Sequence, residues 1–171
     1  MNNKVRSLSL IVILFGVVAL AMGIVFIQQG FDKEAWLVQA MKQEQIEMPD
    51  GSGTIVDSDE LARAAGDLVR EHRRGIAPTY GDLLGGETFN PTDLKQLTYA
   101  QALNIENYLY LAVTAFGVFT VVKATGAFMI VMGLALGTTG YALWSMGKGG
   151  DALVTVKNVK YADSKIRKQS K

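Results

Sequence analysis

The sequence predicts an all-α membrane protein with three transmembrane helices and a small, mainly α soluble insert that includes a short β-hairpin. Three observations carry this. Residues 8–27 (LSLIVILFGVVALAMGIVFI) are uncharged and mostly apolar, long enough to cross a bilayer as one helix. Residues 108–144 carry a single charge, Lys123; as one helix they would rise about 55 Å against a hydrocarbon core of about 30 Å, so a fold-back is expected. The chain between these runs is polar and rich in caps and turns.

Taken in order, residues 1–7 are a polar tail with Lys4 and Arg6, and residues 8–27 form the first span. Ala19-Leu20-Ala21 imitates a signal cleavage site, but the apolar run continues to Ile27, which favours an uncleaved anchor. Residues 28–104 form the soluble insert, which the chain enters through Gly30. Trp36, Leu37, Ala40 and Met41 make an amphipathic helical stripe, with Trp36 at the water interface. Residues 45–48 and 54–56 flank a Pro49-Asp50-Gly51 turn and predict the hairpin, which must lean on other structure to be stable.

A helix capped by Asp57 or Ser58 then runs to about Arg74, with Leu61, Ala65, Leu68 and Val69 on its apolar face. Arg70, Arg73 and Arg74 suit the negative end of its dipole, and Gly75 supplies the stop. Pro78, Gly81, Gly85, Gly86 and Asn90-Pro91 predict irregular chain over 76–91. Thr98 with Gln101 reads as a capping box opening a helix that continues to Val122.

The long apolar run is divided into a second span over 105–122, a turn at 123–126 and a third span over 127–146. Tyr108 and Tyr110 would anchor the outer end of one arm at the interface, and Tyr141 and Trp144 that of the other. Lys123 at the turn would snorkel to headgroups on the opposite face. Gly133, Gly137 and Gly140, with Ala112 and Gly117 and with Ala19 and Gly23, recur at helical spacing and predict close packing among the three spans. Residues 147–171 are a basic tail in which 152–156 form a short strand or lie on anionic headgroups.

Charge is distributed unevenly behind a net +1: residues 28–107 hold 14 acidic and 7 basic side chains, and residues 145–171 hold 7 basic and 2 acidic. Three spans would put the termini on opposite sides, and the positive-inside rule then conflicts with itself. Lys4 and Arg6 hold the N-terminus in the cytoplasm, while Lys148, Lys157, Lys160 and Lys165 pull the tail to that same side. Because the first span usually dominates, the expectation is an inner-membrane, multi-pass protein with its N-terminus inside and its insert extracytoplasmic.

Several chemistries are excluded. No cysteine is present, which removes disulfides, thiolate metal sites and cysteine nucleophiles. His72 is the only histidine, so neither a two-histidine iron site nor a three-histidine zinc site fits one chain. Asp57, Asp59 and Glu60 read as helix caps, and neither glycine cluster is followed by the Lys-Ser/Thr of a phosphate loop. Apart from Lys123 no ionisable residue lies in a span, which argues against a pump. No catalytic, cofactor-binding or metal residues are expected, and no nucleic-acid partner.

One N-terminal span, an insert carrying REHRRGIAPTYGDLLGG and LTYAQALNIENYLYL, and a closing hairpin together resemble a group of small uncharacterised bacterial three-pass membrane proteins. The resemblance covers most of residues 8–144 and rests on layout and these phrases. Some similar proteins carry an aromatic ring-opening dioxygenase name, which the single histidine here does not support, and the resemblance brings no functional residues with it. The expected function is that of a non-enzymatic accessory or interaction protein presenting an acidic domain to a partner complex or envelope component. The alternative is a membrane-embedded lipid or small-ligand sensor. Expected partners are the lipid bilayer and other membrane proteins or a second copy.

Overall fold

The computed structural model describes the backbone of residues 3–169 and the side chains of residues 5–146. It holds four helices: α1 (Asn3–Glu44), α2 (Asp59–Ile76), α3 (Tyr80–Leu84) and α4 (Leu94–Gln169). The chain divides into two compact units, one made of Met1–Ile27 with Ala124–Lys171 and the other of Gln28–Lys123.

In the first unit α1 and α4 pair antiparallel along a seam of small residues. Ser9, Gly16 and Gly23 are buried on α1, and Gly126, Gly133 and Gly140 on α4, seven residues apart on each helix. That spacing keeps one narrow face on the partner when two helices wind around each other. The approach is close enough to leave no room for a side chain. A Cβ on Gly23 would lie 2.7 Å from the Gly126 carbonyl oxygen, and one on Gly126 the same 2.7 Å from that of Gly23. Gly16 and Gly133 repeat this reciprocity at 2.9 and 2.8 Å, and a Cβ on Gly140 would meet the Ser9 carbonyl at 3.1 Å. At each contact a glycine Cα–H therefore points at a partner carbonyl, a weak hydrogen bond that only glycine permits. Outside the seam, large apolar side chains among the described residues are uncovered: Leu14, Phe15, Phe128 and Val131 are all exposed.

These helices correct the expected hairpin. α4 passes unbroken through residues 123–126, so residues 105–146 form one helix with no turn. Lysine and alanine favour helix, and the cost of about 1 kcal/mol for a glycine inside one is offset at Gly126 by the contact with Gly23. α1 likewise continues through Gly30 to Glu44 and ends where Gln45 takes a left-handed cap conformation at φ 50°. Residues 152–156 belong to α4 and form no strand. Among the described residues two helices are long and apolar enough to cross a membrane, over Val5–Glu44 and Leu94–Met146, where the sequence predicts three.

The second unit packs α2 on the two long helices. Ser58 caps α2, its hydroxyl accepting from the Leu61 amide at 3.3 Å. The helix runs past Gly75 and ends at Ile76, because Ala77 precedes Pro78 and is forced into extended backbone at φ −155°, ψ 142°. The expected β-hairpin reduces to one antiparallel bridge, Glu47 with Ile55, flanked by amide–carbonyl bonds of 2.8 Å from Met48 to Thr54 and from Val56 to Ile46. Gly51 and Gly53 take positive φ in the connecting turn. There the Ser52 amide donates to the Asp50 carboxylate at 2.9 Å and holds its pKa below the ordinary aspartate value. Within the stretch expected to be irregular, Thr79 caps the single turn of α3. α4 starts at Leu94, ahead of Thr98, because Asp93 accepts from the amides of Lys95 and Gln96 at 2.8 and 3.3 Å.

Met41 of α1, Val56, Ala62 and Ala65 of α2, and Leu109 and Phe116 of α4 form the core of this unit, with Ala112 and Val113 packed against it. Part of the apolar character of α4 between 108 and 122 is therefore used inside a protein core. Two substitutions separate the glycine roles. Gly133→Leu drives a side chain into Gly16 and Leu20 and should cost 1–3 kcal/mol or more. Gly137→Ala, whose Cβ would meet nothing within 4 Å, should leave stability unchanged or raise it by up to about 1 kcal/mol. Thermal unfolding in detergent checks both, and equal losses from the two would contradict the seam.

Candidate functional site

α2 carries Arg73 on the face that also buries Ala62, Ala65 and Gly66. α4 carries Glu106 on the face that buries Leu109 and Phe116. Each helix thus brings one charge into an apolar interface, and the two meet. Arg73 Nε donates to Glu106 Oε2 at 2.7 Å and Arg70 Nε to Glu106 Oε1 at 3.0 Å, so one carboxylate takes two guanidinium groups. The Arg73 and Glu106 side chains are only 9% and 8% exposed, whereas Arg70 keeps 37%. Water therefore weakens the Arg70 arm far more than the Arg73 arm.

Aromatic residues complete the cluster. Arg73 Nη1 donates to the hydroxyl of the fully buried Tyr99, and its guanidinium carbon lies 4.8 Å from that ring's centre. The Arg70 guanidinium carbon lies 4.4 Å from the Tyr110 ring centre, and Tyr110 donates its hydroxyl proton to Asp67 at 2.5 Å. Tyr80 stacks on Tyr99 with ring centres 6.1 Å apart. The hydrogen bonds to Glu106 raise both arginine pKa values above their ordinary level, which keeps the clamp charged at any physiological pH. Among the described residues no buried side-chain nitrogen or oxygen lacks a partner. With its donors and acceptors paired to one another, the cluster fastens α2 to α4 and offers no free nucleophile or base.

The expected interface residues divide between the units. Trp36 and Tyr108 are exposed within Gln28–Lys123. Tyr110 departs from expectation: it is half-buried against α2 and tied to Asp67. In the other unit Tyr141 is exposed and its ring centre lies 6.2 Å from that of Trp144. Lys123 sits mid-helix, where Nζ meets Glu34 Oε2 at 2.5 Å and lies 4.8 Å from the Phe31 ring centre, so it is paired and not at a turn. Of the expected packing residues, Gly23, Gly133 and Gly140 line the seam; Ala19 is half-buried, and Gly137 presents its backbone to Gly16.

Two concavities belong to the Gln28–Lys123 unit. The larger, of about 610 Å³, is a groove between the C-terminal part of α1 and α4, walled by Leu37, Met41, Ile105, Tyr108, Leu111 and Ala115. Its only charged lining residue is Glu44. The smaller, of about 360 Å³, mixes Val38, Val113 and Phe116 with the charged Glu34, Asp57, Asp59 and Arg63. Among the described residues no three His, Cys, Asp or Glu side chains converge to hold a metal, and His72 is exposed on α2. No family model, curated protein or solved structure matches the chain.

Removing one partner of a buried ion pair strands the other charge, at about 3–5 kcal/mol. Glu106→Ala should therefore lower stability by about 3 kcal/mol or more, with Arg73→Ala close behind and Arg70→Ala well below both. Hydrogen exchange on α2 reads the effect, since its amides should lose protection. Equal losses from the two arginine variants would show that exposure does not grade the clamp.

Proposed function

We propose that this is an integral membrane protein in which α1 and α4 each cross the bilayer once, holding an acidic domain, residues 28–123, on the extracytoplasmic side for a partner to bind. The observation that carries the reading is the surface of the Met1–Ile27/Ala124–Lys171 unit. Among its described residues it buries a seam of glycines and Ser9 and leaves Leu10, Leu14, Phe15, Phe128, Val131 and Leu134 uncovered. An apolar surface of that kind calls for lipid or another apolar partner. Residues 5–27 and 124–146, at about 1.5 Å per residue, each rise about 34 Å, a good match to a bilayer core of about 30 Å.

Two crossings also remove the charge conflict that three create. An even number returns the tail to the side of the N-terminus, so Lys4 and Arg6 lie with the seven basic residues of 145–171, as positive-inside sorting favours. The excess of 14 acidic over 7 basic side chains in residues 28–107 falls on the opposite side. A folded domain with a charge-paired interior, no converging metal ligands among the described residues and an acidic surface suits an accessory or docking role.

Single cysteines can be introduced without background, since the chain has none. Ser52→Cys in the exposed turn should react with a membrane-impermeant maleimide in intact cells, while Ser170→Cys should react only after lysis. Labelling of both positions in intact cells would restore an odd number of crossings. Gentle detergent extraction should return a stoichiometric protein partner, with recovery reduced at least tenfold by combined Glu60→Lys and Glu71→Lys. Isolation of the chain alone under every mild condition would count against a docking role.

A further inference from the structure

We infer that the groove between the C-terminal part of α1 and α4 seats one acyl chain of a membrane lipid whose headgroup carries a primary ammonium, with that ammonium at Glu44. The shape suits a chain and not a compact ring. The α4 wall extends from Ile105 to Ala115, about 15 Å at 1.5 Å per residue, and Leu37, Ala40 and Met41 face it from α1. A volume of 610 Å³ falls in the ordinary range for a small-ligand site. Tyr108 and Leu111 on the α4 wall are each 62% exposed, an apolar strip that the described residues leave uncovered.

Charge complementarity selects the headgroup. Glu44 is the last residue of α1, so its carboxylate adds to the negative end of the α1 helix dipole, where the final carbonyls lack helical partners. No described side chain neutralises Glu44; the nearby cation, Lys42, is already bound to Asp57 at 3.0 Å. Tyr108 offers an exposed aromatic ring in the same lining, a second feature that attracts a cation. A purely anionic headgroup would meet Glu44 and the helix terminus with the same sign of charge.

The groove belongs to the 28–123 domain, beyond the proposed crossings, so the seated lipid is one drawn out of the bilayer, and only its supply is taken from the proposed membrane location. The test is made on the full chain in detergent, so a wrong topology leaves it readable. Phosphatidylethanolamine and phosphatidylglycerol with identical diazirine-bearing chains are added separately, and the adducts are mapped by peptide mass spectrometry. The ethanolamine lipid should give adducts on residues 37–46 and 105–115 at least fivefold above the glycerol lipid. Glu44→Gln should bring the two lipids to near parity. Ala40→Phe and Ala115→Phe, each checked for unchanged helicity, should lower groove adducts of both lipids at least fivefold. Equal labelling of the unaltered chain by the two lipids would overturn the headgroup assignment. Adducts lying only outside the groove, or chain-to-chain crosslinks in the groove that exclude lipid, would overturn the site.

Discussion

A backbone bare of side chains at every seventh residue is what lets α1 and α4 touch. In the membrane setting proposed for them, two apolar helices have little hydrophobic reason to associate, because lipid tails solvate leucine as well as another leucine does. What remains is dispersion and the weak Cα–H···O bond, and both fall away steeply with distance. Gly16, Gly23, Gly126 and Gly133 bring the helices close enough for both to act. The reciprocity of the contacts also fixes the register. A slip of one residue would put Leu20 or Ile130, both already pressed against glycines, where the seam has no space for a branched side chain.

The Gln28–Lys123 unit relies on a different device. Its α2 is short and its buried apolar contacts are largely small, Ala62 and Ala65 among them. Alanine faces alone give limited burial energy, since stabilisation scales with apolar area. The Arg73–Glu106 pair adds directional bonds across that interface, and Tyr99 shields it from solvent. Buried ion pairs are often no better for stability than an apolar replacement; their distinctive effect is intolerance of the wrong alignment. In this unit that intolerance specifies which turn of α2 faces which turn of α4.

Much of this was legible in the chain, and the failures share a physical cause. The apolar helix over residues 8–27, the Ser58 cap and the existence of α2 follow from local chemistry, because hydropathy and capping act within a few residues. Lys123 is not at the turn the sequence suggests, and Arg73, in the last turn of α2 as expected, also pairs with Glu106. Each is satisfied by a side chain 33 to 89 positions away in sequence, and a single sequence shows no such pairing. A usable signal was nonetheless present. Arg73 follows Ala62, Ala65 and Val69 at helical spacing, and Glu106 precedes Leu109, Val113 and Phe116 in the same manner. Opposite charges, each alone on an apolar face, need one another, because an unpaired charge cannot be buried cheaply.

The expected hairpin failed for a related reason. A hydropathy run reports that side chains avoid water, and it does not say whether lipid or protein receives them. Residues 108–144 are too long for one bilayer crossing, so a rule that equates apolar with lipid must fold them back. Leu109 and Phe116, buried against Met41, Val56 and Ala65, show where part of the excess goes. Under the proposed topology, with residues 108–122 assigned partly to a protein core, the remainder fits a single crossing and the number of crossings is even, not odd. The basic tail then no longer opposes the anchor before the first span. Charge distribution, a property unrelated to packing, thus becomes consistent with the helix boundaries only when the turn at 123–126 is given up.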